Sequence, residues 1–320
     1  MTRVFRCALA ALLLSSFLAA CGSSHANSSE PSTSQNPDAN QVEASVATFD
    51  IALGPPDRFM VGLTTGDGRF IGYGTVRLRV YPQGGKPGAW LTARFVPVAG
   101  TRPRVPMPAT PQLVSAAEGR GVYETVAGFA KKGLWTADVD ANVRGLGHSI
   151  ASTTFDVALK HNVVGIGERA PATQNYTLTA HAGVPLTAVD SRAQGNRVPD
   201  PELHTTTVAA ALAAHRPVVV VVSTPVYCTS RFCGPTTDMV DALAKQLPFR
   251  NKADFVMIEV WQDYKSQQLS PAAVPWIVRS SGDGTEPWVF VVGSDGIVKA
   301  RFGNVVTRDG LVQAINQDAR

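Results

Sequence analysis

The sequence predicts a multidomain chain, an all-β sandwich followed by an α/β domain with a mixed sheet. Between 46 and 160 the apolar residues alternate in short runs broken by glycine and proline, as in the half-buried strands of a sandwich. From 201 to 320 the style changes to continuous β-branched runs separated by helical patterns, as in strands buried on both faces. The length of 320 residues suits about two domains, each with its own core.

Taken in order, residues 1–20, "MTRVFRCALAALLLSSFLAA", place Arg3 and Arg6 ahead of an apolar stretch over 8–20. That stretch is too short to span a bilayer as a mature helix, and its shape is that of a secretory signal. Its end, "LAAC" with Gly22 following, resembles the lipobox of bacterial lipoproteins. The resemblance implies cleavage after Ala20, a diacylglyceryl thioether on Cys21 and a lipid-anchored, extracytoplasmic chain. Acyl chains contribute ~0.8 kcal/mol per buried methylene, so two or three of them hold a folded domain on a membrane firmly. Residues 21–45 are polar, rich in Ser, Asn and Pro, and free of aromatics, a composition that reads as a disordered tether. The net charge of +4 becomes +2 (4 − 2) once Arg3 and Arg6 leave with the signal. With no basic run, nothing argues for a nucleic-acid partner.

The domain over 46–160 is read from seven segments: "ATFDIAL", "RFMVGLT", "GTVRLRVY", "AWLTARFV", "GVYETVAGF", "GLWTADVDANV" and "STTFDVAL". Trp90 and Trp135 are expected in its core. The stretch "GVYETVAGFAKKGLWTADVDA" resembles the Gly-x-Tyr and Gly-x-Trp strand pair of small extracytoplasmic Ig-like domains, some relatives of which bind copper. The candidate ligands here, Met60, Met107 and His148, are scattered without ligand spacing, so core or surface roles are expected for them. Residues 161–200 form a linker with at most one hairpin, over "YTLTAHAG" and "LTAVDSR". A connection of that length packs on a domain or carries function.

In the second domain, 201–320, "TTTVAAALAAH" is a capped helical pattern and "PVVVVVS" a buried strand. A helix from about Pro235, the strand "ADFVMIEV" and a short helix over 270–278 follow. The hairpin "PWVFVV", "GSDG", "IVKARF" and a terminal helix over 307–317 complete the order α, β, α, β, α, β, β, α.

Cys7 leaves with the signal and Cys21 is lipidated, which leaves Cys228 and Cys233 in "TPVYCTSRFCGPTTDMV". In an oxidising compartment two such thiols will often be paired. Residues five apart in a continuous α-helix point about 140° apart and are separated by about 7.5 Å along the axis, whereas a disulfide wants its Cα atoms within about 7 Å. An oxidised pair therefore requires 228–233 to be irregular, with Pro235 at the first helical position. Cys233 would then lie at a helix N-terminus beside Arg231, where thiolate is favoured.

The element order, the Tyr227–Cys228 step just past a buried strand, "CGP" opening a helix, and "TEPWVFVVGSDGIV" together resemble the thioredoxin family over about 205–317. The resemblance implies a thiol–disulfide oxidoreductase with no cofactor, acting on client protein thiols or disulfides and on a further redox partner. It implies that Cys228 is the nucleophile, Cys233 the resolving cysteine and Pro287 the cis-proline. Two features depart from the family. Four residues separate the cysteines instead of two, and the strand position of the family's buried Asp is taken by Val221 and Val222. Glu286 is then the acid expected to face the pair, either as a replacement base or as a carboxylate that holds thiolate back by repulsion.

Three other readings stay open at this point. A structural disulfide in a non-catalytic binding lipoprotein accounts for the same cysteines. The spacing also resembles peroxiredoxins whose resolving cysteine lies five residues on, although Pro225 stands where they place threonine. Membrane-held copper chaperones of thioredoxin-like fold use a downstream histidine, and no histidine follows His215 here; no metal site is expected.

Overall fold

A computed structural model describes residues 38–181, 183–230, 232–278 and 284–318. The signal segment, Cys21, most of the tether and Arg231 lie outside the described residues. The chain is mostly β. Its strands are β1 (Val42–Val46), β2 (Asp57–Thr65), β3 (Phe70–Gly72), β4 (Thr75–Pro82), β5 (Leu91–Pro97), β6 (Gln112–Val114), β7 (Gly121–Ala127), β8 (Gly133–Val143) and β9 (Gly147–Val157), with a short helix α1 (Ala116–Gly119) before β7. The second half holds α2 (Val208–Ala213), β10 (Val218–Ser223), α3 (Cys233–Ala244), α4 (Leu247–Arg250), β11 (Asp254–Glu259), β12 (Trp261–Asp263), β13 (Gln268–Leu269), α5 (Val274–Ile277), β14 (Trp288–Val292), β15 (Val298–Gly303) and α6 (Arg308–Asp318).

The first nine strands form one sheet in the order β6-β3-β2-β7-β5-β4-β8-β9, with β1 added on β2, and every pairing in it is antiparallel. Bridges from Gln112 to Arg144 and from Ala52 to Ala158 tie distant parts of the path together. The sheet thus rolls around a core that includes Phe59, Leu63, Tyr73, Leu78, Tyr123 and Trp135. Alternation produces this: in β8 the residues Trp135, Ala137, Val139, Ala141 and Val143 all enter that core.

Three expectations are corrected. "ATFDIAL" is not a strand; its one β-bridge is that of Ala52 with Ala158. The expected tether ends early, because Val42, Ala44 and Val46 alternate with polar residues and pair with Val61 to Thr65. Trp90 is half-buried at the surface, with the Arg79 guanidinium 4.3 Å from its ring centroid, a cation–π platform rather than core.

The second sheet has the order β11-β10-β14-β15; β10 runs parallel to β11 and antiparallel to β14. The valine run of β10 serves two cores. Val218, Val220 and Val222 face Trp276, Phe290 and Val208, while Val219 and Val221 face Val240 and Leu243 of α3 and Leu311 of α6. Fully burying one such valine is worth about 1.5–3 kcal/mol, so a polar residue anywhere in the run would disrupt one core or the other. Among its described residues the stretch 161–200 forms no strand, and within it only an isolated antiparallel bridge joins Gln194 and Arg197; it packs on this layer, with Gly167 and Ala170 N–H groups donating to Val298 and Gly296 carbonyls at 2.9 Å. The described residues, from 38 to 318, belong to one compact unit. Among the described residues no helix is long and apolar enough to cross a membrane.

Candidate functional site

Cys228 and Cys233 are joined by a disulfide, with Cα atoms 6.0 Å apart. Over its described residues the connection is irregular, as their spacing demands: Cys228 belongs to no regular element, Thr229 and Ser230 lie in a turn, and the helix begins at Cys233. The helix starts two residues earlier than expected. Pro235 occupies the third helical position, where its missing N–H costs nothing because the first turn's donors have no intrahelical acceptor. Cys233 is fully buried at the first position of α3, and no acid lies in that first turn to oppose the helix dipole. Cys228 is half-buried, and the Ser230 hydroxyl lies 3.2 Å from its Sγ. The pair therefore presents one reachable sulfur and one that is not.

The scaffold around the turn is closely tied. Ser223, which ends β10, shares a 2.8 Å hydrogen bond with Thr237 on α3. The Val226 N–H donates to Ser191 Oγ at 3.2 Å, and the Ser191 N–H donates to Glu259 at 2.9 Å. Phe232, next to Cys233, packs against Met60, Val98, Val122 and Val305, so the rolled sheet buttresses one flank of the cysteine turn. Met60 thus serves packing, as expected; Met107 is exposed and His148 bonds Asp140 at 2.8 Å.

Pro287 follows a cis Glu286–Pro287 peptide bond and directly precedes β14. The Glu286 carboxylate and both cysteine sulfurs all lie within 4.8 Å of one another. The resemblance to the thioredoxin family pointed to Cys228, Cys233 and Pro287, and to Glu286 as the residue before that proline; the fold brings the two sulfurs and the Glu286 carboxylate together. Burial pushes the Glu286 carboxyl up to about 7, since a charged carboxylate is disfavoured where water is partly excluded.

Several residues were not legible from the sequence. Glu259 ends β11 opposite Ser223, is almost wholly buried, and burial pushes it up to about 7 against hydrogen bonds from Thr224, Ser191 and Trp261. Asp190, Asp200 and His204 are buried together, with Arg192 at 3.1 Å from Asp190 and 2.5 Å from Asp200. Burial works against charge there, but nearby His204 and Asp200 and the hydrogen bonds from Arg192 outweigh it and hold Asp190 below the usual range. Burial and the neighbouring Asp190 raise Asp200. For His204, the two carboxylates, 3.4 Å away on Asp200 and 3.7 Å on Asp190, overcome burial and raise it. The last missed feature is a cleft of about 480 Å³ beside the turn, lined by Tyr227, Trp261 and Tyr264 among others. Tyr227 stacks on Tyr264 at 4.0 Å between centroids, and Trp261 meets Tyr264 edge-on at 5.4 Å.

No family model matches the chain, and no curated protein matches it.

Proposed function

We propose that the chain is a lipid-anchored, extracytoplasmic thiol–disulfide oxidoreductase whose α/β layer is thioredoxin-like. The observation that carries this reading is the asymmetric disulfide, in which half-buried Cys228 is bonded to fully buried Cys233 opposite the cis Glu286–Pro287 peptide. Exchange chemistry needs such an arrangement: one sulfur open to attack and a second held behind it. The family reading is supported by the helix–strand order, the cysteine turn between β10 and α3, and the cis-proline ahead of β14. Cys21 supplies the lipid attachment, and the membrane is a partner through that anchor alone.

In the reducing direction the Cys228 thiolate attacks one sulfur of a client protein disulfide. The client's other sulfur leaves as thiolate, and a mixed disulfide to Cys228 remains. Cys233 then loses its proton, for which the Glu286 carboxylate is the nearest acceptor, and attacks Cys228 Sγ. The client's second thiolate departs, the Cys228–Cys233 bond forms, and two electrons have passed to the client. A second redox protein, acting through the same sulfurs, restores the thiols. In the oxidising direction every step reverses.

The test is trapping. Cys233→Ser should accumulate mixed disulfides on a non-reducing gel, with chelator present throughout, and Cys228→Ser should not. Trapping by Cys228→Ser alone reverses the two roles. If neither variant traps a partner and the parent disulfide resists millimolar glutathione, the bond is a structural staple and the exchange reading fails.

A further inference from the structure

Two groups of ligand-bearing side chains converge among the described residues: Asp190, Asp200 and His204, and separately Cys228, Cys233 and Glu286. In the first, the place of a cation is already taken by the Arg192 guanidinium, within ion-pair distance of both carboxylates. The second has no ion pair with a lysine or arginine among the described residues. Its three ligand atoms lie within 4.8 Å of one another and come from three separate pieces of backbone: the turn after β10, the first position of α3 and the segment ahead of β14. The Glu286 carboxylate has no hydrogen-bonding or ionic partner among the described residues, although it is partly withdrawn from water. A carboxylate kept there without a partner, facing two sulfurs, is unusual for a group whose charge burial penalises.

We propose that the reduced protein holds one Zn²⁺ through Cys228 Sγ, Cys233 Sγ and a Glu286 carboxylate oxygen, with the fourth position open on the Cys228 side. Zn²⁺ suits this mixed donor set, since it accepts thiolate and carboxylate together in tetrahedral geometry and commonly keeps one position for water. The sulfurs must part to about 3.8 Å, the separation set by tetrahedral Zn–S bonds of about 2.3 Å. Two features allow it: the Cα atoms stand 6.0 Å apart, and Thr229 in the intervening turn is exposed. Two thiolates and a carboxylate leave the occupied site with one net negative charge, which the N-terminus of α3 favours.

The chemistry balances without any change of oxidation state at the metal. A dithiol or phosphine reductant first opens the S–S bond and is itself oxidised. Zn²⁺ then displaces the two thiol protons to solvent. The disulfide and the metal exclude each other, so a zinc-loaded chain would be held out of disulfide exchange until the metal is removed. This inference goes beyond the exchange reading, because a dithiol that exchanges need not bind a metal and one that binds a metal need not exchange.

The experiment titrates the phosphine-reduced full chain with Co²⁺ under argon and then displaces it with Zn²⁺. One Co²⁺ per chain, with thiolate charge-transfer absorption and tetrahedral ligand-field bands, is expected; the oxidised chain should bind none. Glu286→Gln should weaken binding at least tenfold, and Cys228→Ser and Cys233→Ser should abolish it. X-ray absorption of the zinc-loaded parent needs no variant. It should show two sulfurs at about 2.3 Å and oxygens at about 2.0 Å. An all-sulfur shell, unchanged affinity in Glu286→Gln, or no stoichiometric binding to the reduced parent overturns the proposal. The trapping experiment runs in chelator, so either result can fail without the other.

Discussion

Glu259 carries a carboxyl to a position almost closed to water, and its proton is coupled to folding. Its ordinary value of 4.5 is pushed by burial up to about 7. Because the folded state holds the proton more tightly than the unfolded chain, the contribution is whole below 4.5, and it is lost as pH rises through 7. The shift corresponds to at most roughly 3 kcal/mol. Parent protein should therefore lose denaturant resistance between pH 5 and 8. Glu259→Gln should show a shallower loss, since the amide keeps an acceptor for the Ser191 N–H and carries no proton to release. An unchanged slope in the variant would show that this carboxyl is not the group responsible. The Ser191 hydroxyl that receives the Val226 N–H puts the cysteine turn within reach of the same network.

The β12–β13 hairpin is the element that gives the cysteine turn a neighbour. It brings Tyr264 against Tyr227, one residue before Cys228, with Trp261 edge-on to Tyr264, and so turns one flank of the site into an aromatic-lined cleft. If protein clients approach Cys228 across this surface, Tyr264→Ala should raise KM several-fold for a protein disulfide. It should leave kcat and the rate with a small disulfide nearly unchanged, because the sulfurs and their supports are elsewhere. Equal effects on both substrates would remove the cleft from recognition. This hairpin could not be read from the sequence: its strands span three and two residues, too short for any period to show. β3 and β6, of three residues each, escaped for the same reason. The long elements were legible because their burial is periodic or continuous, as in β8 and β10. Cys228, Cys233, Glu286 and Pro287 were legible as candidates because the resemblance to the thioredoxin family rests on their order along the chain. Glu259, Ser191 and the Asp190 cluster were not, since only the folded arrangement brings 190–204 beneath the turn.

At the scale of the whole molecule, the rolled sheet and the α/β layer are bound into one unit, which ties the support of the cysteine turn to both. Arg301 on β15 is the centre of that union. It is almost fully buried and reaches Asp50 at 2.7 Å and Asp57 at 3.1 Å, both belonging to the first half of the chain. Asp50 also bonds His161 at 2.8 Å and accepts from the Asn162 N–H at 2.9 Å. Burial opposes its charge, but these hydrogen bonds and the Arg301 charge outweigh that and hold it below 3.8. Removing one member of a buried pair leaves the other charge uncompensated and costs about 3–5 kcal/mol. Arg301→Ala should therefore lower stability by that order. It should also split a single calorimetric transition into two, because polar ties such as Arg58 to the Val305 carbonyl at 3.2 Å and Asn304 to the Ala47 carbonyl at 2.9 Å are each worth only about 1–2 kcal/mol, and the apolar contact beside them is the small cluster of Met60, Val98, Val122 and Val305 with Phe49 on Trp288. Phe232 would lose its support from Met60, Val98 and Val122 as the layers part, and Cys233, its neighbour, would become reachable. The same variant should then make the disulfide markedly faster to reduce by glutathione. A variant that melts in one transition, with an unchanged rate of reduction, would show that the rolled sheet does not guard the buried sulfur.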